Sequence, residues 1–216
     1  MGHDKQRMVI WGASGHARVV ADIVRLEGRF HLVGFLDDVN PQPRQFLGLP
    51  VLGGREKLDR LRGDGVTHII LGFGNCEARL SIGEMVRKEG FSLATAIHPN
   101  AIVASDVPVG EGTVIAAGVI INPGSRIGAN VIINTKASVD HDCEIADGAH
   151  VCPGVTIGGS VTVGSAAWVG IGTTVKNHVS IGARALVGAG SVVVSDIPEG
   201  VVAFGVPAKV RKVTAE

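Results

Sequence analysis

From residue 97 to residue 193 an isoleucine or valine stands at every sixth position, seventeen in succession, beginning Ile97, Val103, Val109. Four residues after each of these anchors the side chain is small or β-branched: Ala, Val, Ser, Thr, Cys or Ile. One residue after each, ten of the seventeen are Gly, Asn or Asp, types that tolerate left-handed backbone and so mark a corner there. A β-sandwich would need hairpin turns at irregular intervals and would lose this register. A sustained six-residue period is instead the mark of a parallel β-helix. One hexad supplies a short strand and a corner, and three hexads close a triangular coil of 18 residues. The anchors stack along the axis, each contributing roughly 1.5–3 kcal/mol when fully buried, and neighbouring coils must cover one another. This reading assigns residues 96–200 to the coil and leaves 201–216 as a C-terminal tail.

Residues 1–95 follow another rhythm. MVIW (8–11) is a short apolar run followed by the turn GASGH (12–16) and a helical stretch that stops at Gly28. HLVGFLDD (31–38) reads as a second buried strand ending in paired aspartates. A Pro/Gly-rich loop, NPQPRQFLGLPVLGG, leads to a helix near 55–62, a third strand, THIILGFGN (67–75), and a helix over 76–90. Strand–helix alternation predicts a small parallel, doubly wound sheet. Ligands of such sheets sit beyond the carboxyl ends of the strands, here GASGH, DD and GFGN.

Composition narrows the class. Twenty basic and twenty acidic residues cancel, so no basic excess points to nucleic acid. No apolar run has the length of a membrane span, and the start MGHDKQRMVIWG lacks a secretory h-region. Three cysteines with no CxxC and no even framework suit a reducing cytoplasm. Thirty-one glycines beside 4% aromatics describe a backbone that turns often and regularly.

The stretch SVDHDCEIADGAH (138–150) breaks the aliphatic pattern with two histidines, a cysteine and three carboxylates within five residues, Asp140, Asp142 and Glu144. With Val139 as an anchor, Cys143 is its small inward partner, while His141 and Asp142 fall on an outward corner. A solvated corner is one reading. A metal site is a second, but His141 and His150 are nine residues apart, half a coil, and inward Cys143 cannot join them. General base catalysis is the third: an imidazole with a pKa of about 6.5 accepts a proton near neutrality, and a carboxylate fixes its tautomer. Nothing local looks like an activated nucleophile, so direct transfer fits better than a covalent intermediate.

GASGH, FLDD, NTKASVDHDCEI and the closing FGVPAK (204–209) together resemble the hexapeptide-repeat sugar acetyltransferases of the sialic-acid and bacillosamine type, with the GDP-perosamine N-acetyltransferases as nearest branch. The resemblance spans essentially the whole chain. It implies a Rossmann-like nucleotide-sugar domain before a left-handed β-helix, a homotrimer, acetyl-CoA as co-substrate, and no metal. The acceptor would be the amine of a nucleotide-linked 4-amino-4,6-dideoxy sugar, GDP-perosamine or a UDP-linked relative. By the same resemblance His141 is the base, Asp142 its acidic partner, and Asn134 a polar residue lining that site. His150 contacts acetyl-CoA, and backbone groups at Gly159, Ile171 and Ala189 hold its thioester and pantetheine arm. Gly12, Ala13, Ser14, Gly15 and His16 form the nucleotide-sugar loop, joined by Asp37, Asp38 and Asn75. Trp168, one coil after His150, is either a wall of the donor cleft or a surface aromatic. Alternatives stay open. GASG also resembles an NAD fingerprint, without its third glycine and with Ala17 in that place. Asp37 and Asp38 also suit a turn before Asn40-Pro41, and His16 an unliganded helix start. A sugar O-acetyltransferase, or a non-catalytic trimer that binds a nucleotide sugar, would share the fold.

Overall fold

The computed structural model describes residues 5–213 and divides into two compact units between Pro99 and Asn100.

In the first unit, β1 (Gln6–Trp11) lies at the centre of the sheet because its apolar residues are buried on both faces: Met8, Val9, Ile10 and Trp11 are at most 2% exposed. The chain then forms α1 (Gly15–Glu27), β2 (Phe30–Leu36), β3 (Arg44–Phe46), β4 (Leu49–Val51), α2 (Leu58–Gly63), β5 (Val66–Leu71), α3 (Cys76–Lys88) and β6 (Ser92–Leu93). The strand order is β3-β4-β2-β1-β5-β6, parallel throughout except the β3–β4 pair. β1 is flanked by β2 and β5, so the chain reverses its direction of travel across the sheet there. Helix α1 ends at Gly28, whose φ of 64° lets its N–H return to the Val24 carbonyl, as the sequence predicts. The stretch expected as a plain loop contains the β3–β4 hairpin. Leu47 and Gly48 make its two-residue turn with φ of 52° and 77°, the positive pair that matches strand twist. Residues 96–99 fall within this compact unit, and Ala96–Ile97 is also the end strand of the coil's eight-stranded sheet, in keeping with its placement there on sequence grounds. The Ile97 N–H donates to Glu27, and Arg29 donates to the Thr95 carbonyl.

The second unit is the coil. Two-residue strands recur every six residues, and each pairs in parallel with the strand 18 residues on, as Ile120 does with Ser138 and Glu144 with Thr162. Three faces result. One carries Ser138–Val139 and Thr156–Ile157, the next Glu144–Ile145 and Thr162–Val163, and the third Ile132–Ile133, His150–Val151 and Trp168–Val169. Every anchor from Ile115 to Val193 is at most 2% exposed, while the first three, Ile97, Val103 and Val109, are half-buried. Residues 201–213, expected as a tail, are part of this architecture. Val201–Gly205 pairs with Leu186–Val187 and turns back antiparallel onto Ala208–Val213.

The corners depart from expectation. Left-handed backbone falls three residues after the anchor, at fourteen successive positions from Gly112 to Gly190, and seven of these are not glycine. The glycines one residue after the anchor serve a different need, close approach between coils. A Cβ at Gly110, Gly158 or Gly164 would lie 2.4–2.8 Å from the backbone nitrogen nineteen residues on, at Ala129, Asn177 and Ala183. Ile133 is fully buried between Ile115 and Val151 of the adjoining coils, so Ile133→Ala leaves a void that the ladder cannot close. It is expected to cost about 2–5 kcal/mol, read by chemical denaturation. Thr174→Ala, on an outward strand position, should stay within about 0.5 kcal/mol.

Candidate active site

The corner between Ser138–Val139 and Glu144–Ile145 carries the dyad. His141 Nδ1 lies 2.8 Å from Asp142 Oδ2, so the carboxylate holds the Nδ1 proton and leaves Nε2 as the basic nitrogen. Both side chains are more than half exposed. The hydrogen bond to Asp142 and the nearby Asp140 charge raise the His141 pKa above its ordinary value. Asp142 reaches back to its neighbour from a left-handed backbone, φ 57°, a conformation aspartate tolerates better than most residues. Two glycines make room for the pair. A Cβ at Gly124, one coil before Asp142, would lie 2.4 Å from its Oδ1. A Cβ at Gly159, one coil after His141, would lie 2.6 Å from both Cε1 and Nε2 of the imidazole. Cys143 points inward at 2% exposure, and burial pushes its thiol pKa up, which disfavours the reactive thiolate.

Gly159, Ile171 and Ala189 occupy the same place in their hexads, two residues after the anchor. Among the described residues none accepts a hydrogen bond from their N–H groups, which leaves three donors for a ligand. Gly159 shares a corner with His141, whereas Ile171 and Ala189 stack on the corner that follows the third face. His150 belongs with this second set. It is 5% exposed, with Trp168 edge-on at 4.3 Å between ring centroids and Asn134 Nδ2 at 3.2 Å from its Nε2. The Asn134 amide is oriented because its Oδ1 accepts the Thr135 N–H, so its Nδ2 is the group that faces His150 Nε2. Asn134, expected beside His141, is therefore a partner of His150 in the single chain. Trp168 is fixed against that histidine rather than loose on the surface. Among the described residues no group of three His, Cys, Asp or Glu is placed to hold a metal ion.

In the first unit a cavity of about 420 Å³ opens beyond the carboxyl ends of β1, β2 and β5. Gly12, Ala13, Ser14, Asp37, Asp38 and Asn75 line it, while Gly15 and His16 continue into α1 behind it. Gly12, at φ 120°, passes so close to Gly72 that a Cβ would meet its carbonyl at 2.9 Å. The aspartates carry structural duties as well. Asp37 pairs with Arg44 at 2.6 Å and accepts from the Val39 and Asn40 N–H groups, the turn foreseen as an alternative. Asp38 takes Arg55 through two nitrogens and its backbone N–H. Asn75 caps α3 through the Ala78 N–H.

Comparison with known proteins places these features. Residues 7–86 match the PglD N-terminal domain, and residues 124–159 match the bacterial transferase hexapeptide (six repeats). A histidine-to-asparagine variant of perosamine N-acetyltransferase from Caulobacter crescentus, solved in complex with CoA and GDP-perosamine, is 43% identical. The match covers 94% of this chain and 96% of that one, with a TM-score of 0.92. The chain belongs to the hexapeptide-repeat sugar N-acetyltransferases. The acetyltransferase domain of PglB from Neisseria gonorrhoeae FA1090, in complex with acetyl coenzyme A, is 33% identical, with coverage of 96% and 100% and a TM-score of 0.90. WeeI from Acinetobacter baumannii AYE is 26% identical, with coverage of 96% and 100% and a TM-score of 0.87. Like its relatives, this N-acetyltransferase combines a Rossmann-like domain with a left-handed parallel β-helix.

Two features of this N-acetyltransferase were not singled out from sequence. Arg79, on α3, is 1% exposed and donates to the carbonyls of Phe73 and Gly74, pinning the backbone that leads to Asn75. Burial, and then the Arg79 charge, lower the His16 pKa to about 4, so its imidazole is neutral at physiological pH. The second is Asn122, one coil before the dyad, which donates to Asp140. An arginine on an amphipathic helix and an asparagine at a corner each have ordinary explanations, so neither stands out in the sequence.

Proposed function

We propose that this protein transfers the acetyl group of acetyl-CoA to the 4-amino group of a nucleotide-linked 4-amino-4,6-dideoxy sugar, with GDP-perosamine as the preferred acceptor. The observation that carries the reading is the His141–Asp142 pair, with its basic Nε2 turned out against Gly159. The neutral amine attacks the thioester carbonyl. His141 takes the proton released as the C–N bond forms, and Asp142 steadies the imidazolium. The Gly159 N–H stabilises the tetrahedral oxyanion, and its collapse breaks the C–S bond. His141 then returns the proton to the departing thiolate, giving an N-acetylated sugar and free CoA.

His150, Asn134, Ile171 and Ala189 serve the donor, whose amide-rich pantetheine arm suits the unpartnered N–H groups at Ile171 and Ala189. Gly12 to His16, Asp37, Asp38 and Asn75 serve the nucleotide sugar, with the α1 N-terminus favouring its diphosphate. His141 with Gly159 and His150 with Ile171 occupy different sides of the prism. One active site therefore takes the base from one chain and the donor-binding set from its neighbour, which a homotrimer provides. The three cysteines are buried and form no disulfide among the described residues, which suits work in the cytoplasm.

The test is CoA thiol release with acetyl-CoA and a panel of GDP-, UDP- and dTDP-linked acceptors bearing either an amine or a hydroxyl at C4. Release is expected with the amines, greatest for the GDP-linked one. Release confined to the hydroxyl acceptors, or none at all, overturns the reading.

A further inference from the structure

The carboxylate on the other side of His141 is held as firmly as the one that faces its ring. Asp140 Oδ1 accepts two hydrogen bonds, from Asn122 Nδ2 at 2.8 Å and from the His141 N–H at 2.9 Å. Its own N–H donates to Ile157 at 3.0 Å, and its carbonyl accepts from Ser125 Oγ at 2.7 Å. Ser125 Oγ in turn accepts the Cys143 N–H at 3.0 Å, so the residues on both sides of the dyad are tied to the coil below. Asn122 is itself anchored there, its N–H bonded to Val139 at 3.0 Å. The His141 N–H occupies the same hexad place as those of Gly159, Ile171 and Ala189, which have no acceptor among the described residues. At the proposed base the N–H is capped by an anion, as the Ala129 N–H is by Asp147 at the same hexad place, and here the capping carboxylate lies beside the imidazole.

We propose that Asn122 and Asp140 are positioning residues for the His141 base. Asn122 holds the Asp140 carboxylate, and that carboxylate fixes the His141 backbone while stabilising the imidazolium formed in the reaction. The charged groups acting on the imidazole are Asp142 and Asp140; the coil above offers it Gly159, and the coil below offers Asp142 the Pro123 carbonyl and Gly124. Both carboxylates favour the protonated ring, and the two bonds that Asp140 accepts hold its own pKa below the usual value, so it stays charged wherever His141 titrates.

The inference rests on His141 as the base, and two variants separate its parts. Asp140→Asn keeps an acceptor for the His141 N–H and removes only the charge. The imidazole of His141, followed by NMR titration without turnover, is expected to titrate at lower pH than in the unaltered enzyme. The midpoint of the kcat profile should move with it, with kcat lower by about tenfold, a part of the about 10²–10⁴ that a general base supplies, and KM unchanged. Asn122→Ala keeps the charge and frees the carboxylate, so kcat should fall several-fold with the midpoint in place. An NMR midpoint that does not move in Asp140→Asn overturns the electrostatic support. An unchanged kcat in Asn122→Ala overturns the positioning, and this variant carries the test if Asp140→Asn fails to fold. An NMR midpoint that moves while the rate profile stays put overturns His141 as the base instead.

Discussion

Replacing His141 by asparagine is expected to lower kcat/KM by about 10²–10⁴-fold while leaving the melting temperature and both KM values nearly unchanged. The side chain is more than half exposed and its ring carries no part of the core, so its loss removes chemistry and little packing. The pH dependence gives an independent signature. The base works only when neutral, and its pKa is raised, first by the Asp142 hydrogen bond and then by the Asp140 charge. The unaltered enzyme should therefore lose activity as pH falls through that raised value, and the asparagine variant should show no such limb. Turnover close to normal in His141→Asn, with acetyl-CoA and the amino sugar both bound, would sink the assignment.

Gly159→Ala is expected to be nearly as damaging by a different route. Gly159 does not have a positive φ, so alanine meets no backbone penalty. What it meets is the imidazole, 2.6 Å from the new methyl at two ring atoms. An exposed ring escapes that overlap by rotating, which preserves the fold and takes Nε2 away from the position where it accepts a proton. A loss of about 10²-fold or more in kcat is expected for a base displaced by such a distance, with an unchanged thermal melt. The double variant Gly159→Ala/His141→Asn should be no slower than His141→Asn alone, since both remove the same function. Additive losses would show that the new methyl harms the reaction by a route other than displacing the ring.

The six-residue register could be read because burial repeats it: each valine or isoleucine that the period selects from Ile115 onward lies on the axis. The same register sorted SVDHDCEIADGAH correctly, with Cys143 inward, His141 and Asp142 on a corner, and His150 on another face. Corner chemistry was less legible. Lys136, Ala166, His178 and Arg184 all adopt positive φ, and nothing in those side chains announces it. The coil imposes that conformation through the ladder, overriding local preference. The glycines one residue after the anchor mark no corner but a contact nineteen residues away, which local propensity does not encode. The β3–β4 hairpin was hidden for a similar reason, since Leu47 sits where Asn or Asp usually signals such a turn. At the site, Asn134 paired with His150 and Asn122 with Asp140 across coils. Both pairings require the register to be laid out in three dimensions before they can be seen.

The pairing of each residue with the one 18 positions later also governs how this enzyme tolerates changes of length. Inserting or deleting six residues between Gly124 and Gly159 would keep every anchor in phase and preserve the aliphatic axis. It would also turn whatever follows by one face of the prism, so that Asp142 would leave Gly124 if the change fell before the dyad, and His141 would leave Gly159 if it fell after. Only a change of 18 residues restores the faces, and even that substitutes a different neighbour. Descendants of this gene can thus gain or lose whole coils beyond the chemistry, while the interval from 122 to 159 is closed to any indel.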